Sequence, residues 1–201
     1  RHWHLQTPEP MLEGVTVAEV DRSLRPIPAS ERIVGCDTLV LSVGLIPENE
    51  LSRDMGVVLD PATGGPVVDE RLETSVEGVY ACGNVVHVHD LVDHVTQTGE
   101  IAGENAARYK LGKSVPLRRR MLVKPGVNVR YVVPQIISGE EPVTLYLRVK
   151  RPERRAVVRI GDELSASRRA VRPPELVAIR LSKGVRGKEG LVRVEVRKGR
   201  E

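Results

Sequence analysis

The spacing of apolar and polar positions changes several times along this chain. Residues 6–10 are turn-like, with two prolines. Residues 15–20 (Val-Thr-Val-Ala-Glu-Val) have strand character and run into a polar turn at 21–23. Pro26 and Pro28 make the next segment extended or edge-like, because proline cannot donate to a ladder. Residues 39–43 are a compact apolar run closed by Gly44, which predicts a buried strand of the parallel kind. Pro47 breaks that run, and residues 48–55, acidic at their start, predict a short helix. Residues 56–59 and 66–69 flank Asp60-Pro-Ala-Thr-Gly-Gly65 and predict a hairpin. Residues 78–82 predict a short buried strand that stops at Gly83-Asn84. Asp90 then suits an N-cap, and Leu91, Val95, Ile101, Ala102 and Ala106 supply the apolar stripe of a helix over 91–109.

After Pro116 and the basic link Arg118-Arg-Arg120 the pattern becomes all strand. Segments 127–133, 143–149, 156–160, 176–181 and 191–196 are separated by proline and glycine at intervals that suit a small antiparallel sandwich or barrel. Segments 144–149 and 192–197 alternate well, so each is expected to keep one wet face. No internal repeat or low-complexity stretch occurs.

Charge divides the chain at the same place. Residues 1–117 carry 9 Lys+Arg against 18 Asp+Glu, whereas residues 118–201 carry 22 against 9. A split of that kind indicates two units with different surfaces, able to attract each other or a partner of opposite charge. No apolar run of about eighteen residues is present, so no membrane span is expected. The two cysteines, Cys36 and Cys82, form no Cys-x-x-Cys pair, which argues against a disulfide framework or a cysteine zinc site. Phe is absent, leaving Val, Leu and Ile to fill the core.

The chemistry concentrates around Gly83-Asn84. A strand that stops on glycine and a short polar residue, with a helix to follow, suits a polyol or a phosphate. The glycine admits the ligand to the backbone, the side chain grips a hydroxyl, and the helix start offers free N–H groups. Residues 74–84 (Thr-Ser-Val-Glu-Gly-Val-Tyr-Ala-Cys-Gly-Asn) resemble the T-S-x-x-G-x-[FY]-A-x-G-D segment of the pyridine nucleotide-disulfide oxidoreductase-like flavoproteins. Residues 36–49 resemble the same family's D-x-[apolar]₃-x-x-G-x-x-P-N crossing between its NAD(P) and FAD domains. The resemblance covers roughly residues 15–112. Its wording is closest to a branch in which the flavoprotein is a subunit of an amine, opine or cyanide-forming dehydrogenase, or is encoded beside glycerol-3-phosphate dehydrogenase.

The resemblance implies an α/β fold: part of a two-dinucleotide-binding-domain, Rossmann-like flavoprotein, with a C-terminal all-β domain. Residues 1–44 would end the NAD(P)-binding domain, 45–117 would be the C-terminal segment of the FAD-binding domain, and 118–201 a basic β-rich domain. The activity implied is an FAD-dependent, NAD(P)-linked oxidoreductase passing hydride or electrons through the flavin. Gly83 and Asn84 would meet the ribityl and pyrophosphate side of FAD, with Asn84 in place of the usual acid. Asp90 would start the helix whose first N–H groups, at Leu91 and Val92, face the flavin N1/O2 edge; the plainer reading of Asp90 is a helix cap alone. Gly44 and Pro47 would form the crossing beside the nicotinamide cofactor. A small-molecule substrate, partner dehydrogenase subunits and a cytoplasmic location are also implied. The second reading is a non-catalytic docking or scaffold subunit.

Two features qualify the assignment. No Gly-x-Gly-x-x-Gly occurs, so neither dinucleotide phosphate loop is in these residues. The chain therefore reads as the C-terminal part of a longer flavoprotein, expected to bind FAD poorly by itself. In the dense run His87, His89, Asp90, Asp93 and His94, the two histidines at i and i+2 need not converge on a metal, and a polar loop over the cofactor is the simplest reading. The arginines of the basic half alternate with Val or Leu and are accompanied only by Tyr131 and Tyr146. That favours a solvated or subunit-docking face over nucleic acid.

Overall fold

The computed structural model describes residues 12–23, 25–42, 44–162, 164–182, 185, 187 and 190–199. The turn expected at 6–10 and Val43 lie outside the described residues. The chain divides between Gly44 and Leu45 into two compact units.

The described residues of the first unit hold a two-stranded antiparallel hairpin and a single antiparallel bridge, Val20 to Pro26. Strand β1 (Gly14–Val17) pairs with β2 (Arg32–Gly35), Val15 opposite Val34. The strand expected over 39–43 is absent from described residues 39–42. Leu39, Val40 and Leu41 are 49%, 86% and 68% exposed and lie in no ladder. An apolar run of this type is stable as a strand only between neighbours on both edges, and the described part of its unit supplies only the β1–β2 hairpin and the Val20–Pro26 bridge, neither of which pairs with it.

The second unit begins with helix α1 (Glu50–Asp54). The hairpin expected across 56–69 forms, but as a single bridge, Leu59 to Pro66, closed by Asp60 N–H to Gly65 O and Val67 N–H to Val58 O. The strand expected at 78–82 is instead the return arm of a second tight hairpin. Its only bridge joins Tyr80 to Glu73, and its residues are half-buried. The arm pairs with the segment just before it, and Gly78 makes the turn at φ +77°. A 3-10 turn, Gly83–Val85, leads on to helix α2 (Val92–Lys110). No described helix is long and apolar enough to cross a membrane.

The described residues from 121 to 198 form only strands and their connections. One sheet has the order β5-β3-β10-β7-β8, from β5 (Ile136–Ile137), β3 (Met121–Pro125), β10 (Leu191–Lys198), β7 (Glu153–Ile160) and β8 (Leu164–Val171); β3 and β10 are its parallel pair. The other has the order β4-β6-β9, from β4 (Val129–Val133), β6 (Val143–Val149) and β9 (Val177–Leu181). Their facing side chains, among them Met121, Val129, Ile137, Leu145, Leu147, Val158 and Val194, make one buried core. Strand β10 keeps the expected wet face, with Arg193 and Arg197 outward and Val192, Val194 and Val196 buried.

Strand β6 does not keep a wet face. Leu145, Tyr146 and Leu147 are all buried, because the outer face of its sheet is covered by the 85–102 segment. Val68, Leu72, Val86 and Ala102 form a second core there with Tyr131 and Val133 of β4. Polar bonds also tie residues 60–70 to residues 135–138. Gln135 Nε2 donates to Asp60 Oδ2 (3.0 Å), Val68 N–H to Gln135 Oε1 (3.1 Å), and Ser138 N–H to Glu70 (2.8 Å).

Candidate functional site

The Gly83–Val85 turn is held from three directions. Gly83 has φ +67°, a conformation that favours glycine, and its N–H donates to Thr98 Oγ1 of α2 (3.2 Å). The Thr98 hydroxyl in turn donates to Val95 O (2.9 Å). Asn49, 1% exposed, donates from Nδ2 to Val85 O (2.9 Å) and to Gly64 O (3.0 Å), while its Oδ1 accepts from the Ser52 hydroxyl (2.8 Å). Gly65 lies so close that an added Cβ would stand 2.0 Å from Val86 O. One buried amide and one obligatory glycine thus fix the turn against the 60–65 loop.

Asn84 is exposed. Its Oδ1 accepts the His89 N–H (3.0 Å), and its Nδ2 has no partner among the described residues. Helix α2 starts at Val92 with Leu91 as N-cap, in an extended conformation and without a side-chain cap. Leu91 and Val92 are 56% and 74% exposed, so the first N–H groups of a nineteen-residue helix open toward solvent.

Asp90 does not cap the helix. Its carboxylate accepts from Arg148 of β6 and from the Leu176 N–H, so neither oxygen turns back to α2. Arg148 also donates to Tyr131 Oη (3.0 Å), to Val88 O (3.2 Å) and to Pro174 O. A strong cation in the adjoining sheet outcompetes the local cap.

The histidine rings lie close together. The His87 and His89 rings are 4.1 Å apart, His87 lies 5.6 Å from the Tyr146 ring and 5.8 Å from Tyr131, and His94 lies 5.2 Å from Tyr146. The i, i+2 rule assumes an extended chain, but here the helical turn persists through Val86 (φ −84°, ψ −52°). His87 is 1% exposed and neither of its nitrogens has a hydrogen-bond partner among the described residues; His89 is buried in the same state. Burial, reinforced by the neighbouring His89, pulls His87 down to about 3. Burial, then His94, lowers His89. Both rings are therefore neutral at pH 7. Burial also raises Tyr146, whose hydroxyl donates to Gln97 Oε1 (3.0 Å). No group of three or more His, Cys, Asp or Glu among the described residues is arranged to hold a metal. A cavity of about 320 Å³ runs alongside, bordered by Cys82, Gly83, His87, His89, Thr98 and Tyr146.

The structure therefore gathers Gly83, Asn84, Leu91 and Val92 onto one stretch of turn and helix start, with Asp90 drawn aside. Gly44 (φ +86°) ends the first unit and Pro47, half-buried, stands near the start of the second, so the two fall on opposite sides of the division. Sequence reasoning missed Asn49, Gly65 and Arg148. Asn49 was visible only as part of the Pro47-Glu-Asn49 wording, and Arg148 read as one of many solvated strand arginines.

Comparison with known proteins bears on this region. Residues 10–103 match the family model described as pyridine nucleotide-disulphide oxidoreductase. The nitric oxide reductase FlRd-NAD(+) reductase of Salmonella paratyphi A is 32% identical over 107 residues, covering 53% of this chain and 28% of that protein. Thioredoxin reductase of Listeria monocytogenes is 34% identical over 85 residues, covering 41% and 26%. Thioredoxin reductase of Listeria innocua is 30% identical over 109 residues, covering 53% and 33%. The chain spans no more than a third of the length of these relatives.

Proposed function

We propose, from the match of residues 10–103 to the pyridine nucleotide-disulphide oxidoreductase family model, that this chain contributes part of the flavin site of an FAD-dependent, NAD(P)-linked oxidoreductase. The family and these relatives imply FAD and NAD(P) as cofactors. Residues 1–44 are assigned to the end of an NAD(P)-binding domain, 45–117 to the C-terminal segment of an FAD-binding domain, and 118–201 to a basic β-domain. A small-molecule substrate, partner subunits and a cytoplasmic location belong to the same proposal.

The observation that carries the reading is the uncapped, exposed start of α2 beside a glycine turn whose Asn84 keeps its Nδ2 without a partner among the described residues while Oδ1 accepts the His89 N–H. The donor set fits FAD. Asn84 Nδ2 can donate to a ribityl hydroxyl. The N–H groups at the start of α2 can face the electron-rich edge of the ring, where a helix N-terminus favours added negative charge. Gly83 keeps the turn free of side-chain bulk. Bound FAD would supply the two-electron redox chemistry; the share of these residues is to hold and orient it and to set the field at its edge. Gly44 and Pro47 are assigned to the nicotinamide side.

The intact protein should be yellow as purified and retain flavin through gel filtration, and its visible bands should bleach with NADH or NADPH. A protein that carries the upstream residues yet binds no flavin would refute the proposal. Asn84→Ala should weaken flavin retention without altering the fold.

A further inference from the structure

Arg148 is the point at which the basic sheets reach the helix start. It sits on the covered face of β6, with its side chain 12% exposed. Its guanidinium donates to the Tyr131 hydroxyl, the Val88 carbonyl, the Asp90 carboxylate and the Pro174 carbonyl. The other Asp90 oxygen accepts the Leu176 N–H, from the turn that leads into β9. Two separate stretches of the β-sandwich therefore grip the two residues, Val88 and Asp90, that lie just before α2.

We propose that Arg148 is a positioning residue for the flavin site, acting through Val88 and Asp90 on the first turn of α2. The inference rests on the FAD reading above. Three observations support it. First, α2 has no side-chain cap: Leu91 supplies no acceptor and is exposed, so the local sequence holds the loop before the helix only through Asn84 Oδ1 and the His89 N–H. The fork of Arg148 holds it too, because a planar guanidinium with five N–H donors can hold a carbonyl and a carboxylate in fixed relation. Second, Asp90 lies one residue before the N-cap. An unpaired carboxylate there would offset the positive end of the helix, which is the property the flavin edge requires. Arg148 neutralises that charge and turns it into the sheet. Third, the Arg148 end of the clasp is largely buried, its side chain 12% exposed against 34% for Asp90, and its bonds to Val88 O and Tyr131 Oη lie in the part-buried region beside β4. The β-domain is thus part of the flavin site's construction, although none of its residues belongs to the donor set.

The test uses Arg148→Met and Arg148→Lys in the intact protein, with two readouts. In flavin-free protein, Arg148→Met should speed amide hydrogen exchange across residues 86–93 at least tenfold while β6 and β10 stay protected. In flavin-loaded protein it should weaken FAD at least tenfold and move the flavin midpoint potential to a more negative value. Arg148→Lys keeps a charge but not the fork, so it should restore most of the potential and little of the exchange protection. Unchanged exchange over 86–93, or an unchanged potential with FAD bound, overturns the proposal. If the parent protein holds no flavin, the FAD reading fails, and the exchange readout alone decides whether the clasp exists. Should Arg148→Met not fold, Asp90→Asn removes the charge partner while leaving Arg148 packed. It should loosen the same residues; equal exchange in Asp90→Asn and parent refutes the clasp.

Discussion

Acidification should begin to destabilise this chain through its buried histidines, His87 above all. His87 is 1% exposed, and burial holds it at about 3 against an ordinary value of 6.5. The folded value lies below the unfolded one, so as pH falls the unfolded chain binds the proton first. The stability at stake is fully present above about pH 6.5, declines below it, and is wholly lost only below about pH 3. The limiting slope is about 1.4 kcal/mol per pH unit. Between pH 7.5 and 4.5 His87 alone therefore removes roughly 2–3 kcal/mol, a large part of an ordinary domain's reserve. The lowered His89 adds loss of the same sign. Urea unfolding followed by circular dichroism at half-unit pH steps measures the curve. His87→Leu supplies the control, because it fills a comparable apolar volume and cannot titrate. It should change stability at pH 7.5 by no more than about 1.5 kcal/mol. Between pH 6 and 4 its slope should be shallower than the parent's by about 1 kcal/mol per unit. Carboxylate contributions are common to both proteins and cancel in the difference. Equal slopes in parent and His87→Leu would sink the reasoning, since they would mean that the ring is hydrated or charged in the folded state.

Three further outcomes follow from the turn and its supports. Gly65→Ala places a Cβ 2.0 Å from Val86 O, so the loop or the turn must move; a loss of about 3 kcal/mol or more is expected, read as a lower urea midpoint. Asn49→Ala removes donors to Gly64 and Val85 and an acceptor for Ser52; about 2–3 kcal/mol should be lost, and an effect under 0.5 kcal/mol would show that these bonds are not made in solution. Asn84→Asp keeps the acceptor for His89 N–H and should leave stability within about 0.5 kcal/mol, while the intact protein's flavin affinity, measured by fluorescence quenching, should change.

Much of the strand-rich half was legible because its signal is local. Strand β6 was placed to the residue, and β4, β7, β9 and β10 to within a few, from apolar alternation broken by proline and glycine. Strand β8 was missed: Leu-Ser-Ala-Ser-Arg-Arg-Ala-Val buries only Val171 fully. It is an edge strand, where one neighbour and one half-covered face leave little pattern in the residues. The helix over 92–110 was likewise legible from its stripe and its glycine stop. Its cap was not, because whether Asp90 bonds its own helix or a distant guanidinium depends on β6, 58 residues later. The strand expected over 39–43 failed for the opposite reason. Its residues are strand-like, but a buried strand is a property of neighbours that the described unit does not provide.

The same dependence explains why the face of β6 was misread. Thr144, Tyr146 and Arg148 look like a wet face because each carries a polar tip. In the structure Tyr146 is 4% exposed and spends its hydroxyl on Gln97, and Arg148 spends its guanidinium on the loop before α2. Side chains of this kind can line water or line an interface, since an apolar body and a polar end satisfy both. What decides is whether partners for the polar ends arrive from elsewhere in the chain. Here they come from residues 88–97, the stretch the family resemblance marks for the flavin. The basic strands and residues 60–102, which differ so sharply in charge, therefore meet through a buried apolar core and a few specific bonds. Loss of Arg148 should be felt at the helix start before it is felt in the sandwich core, whose contacts it does not make.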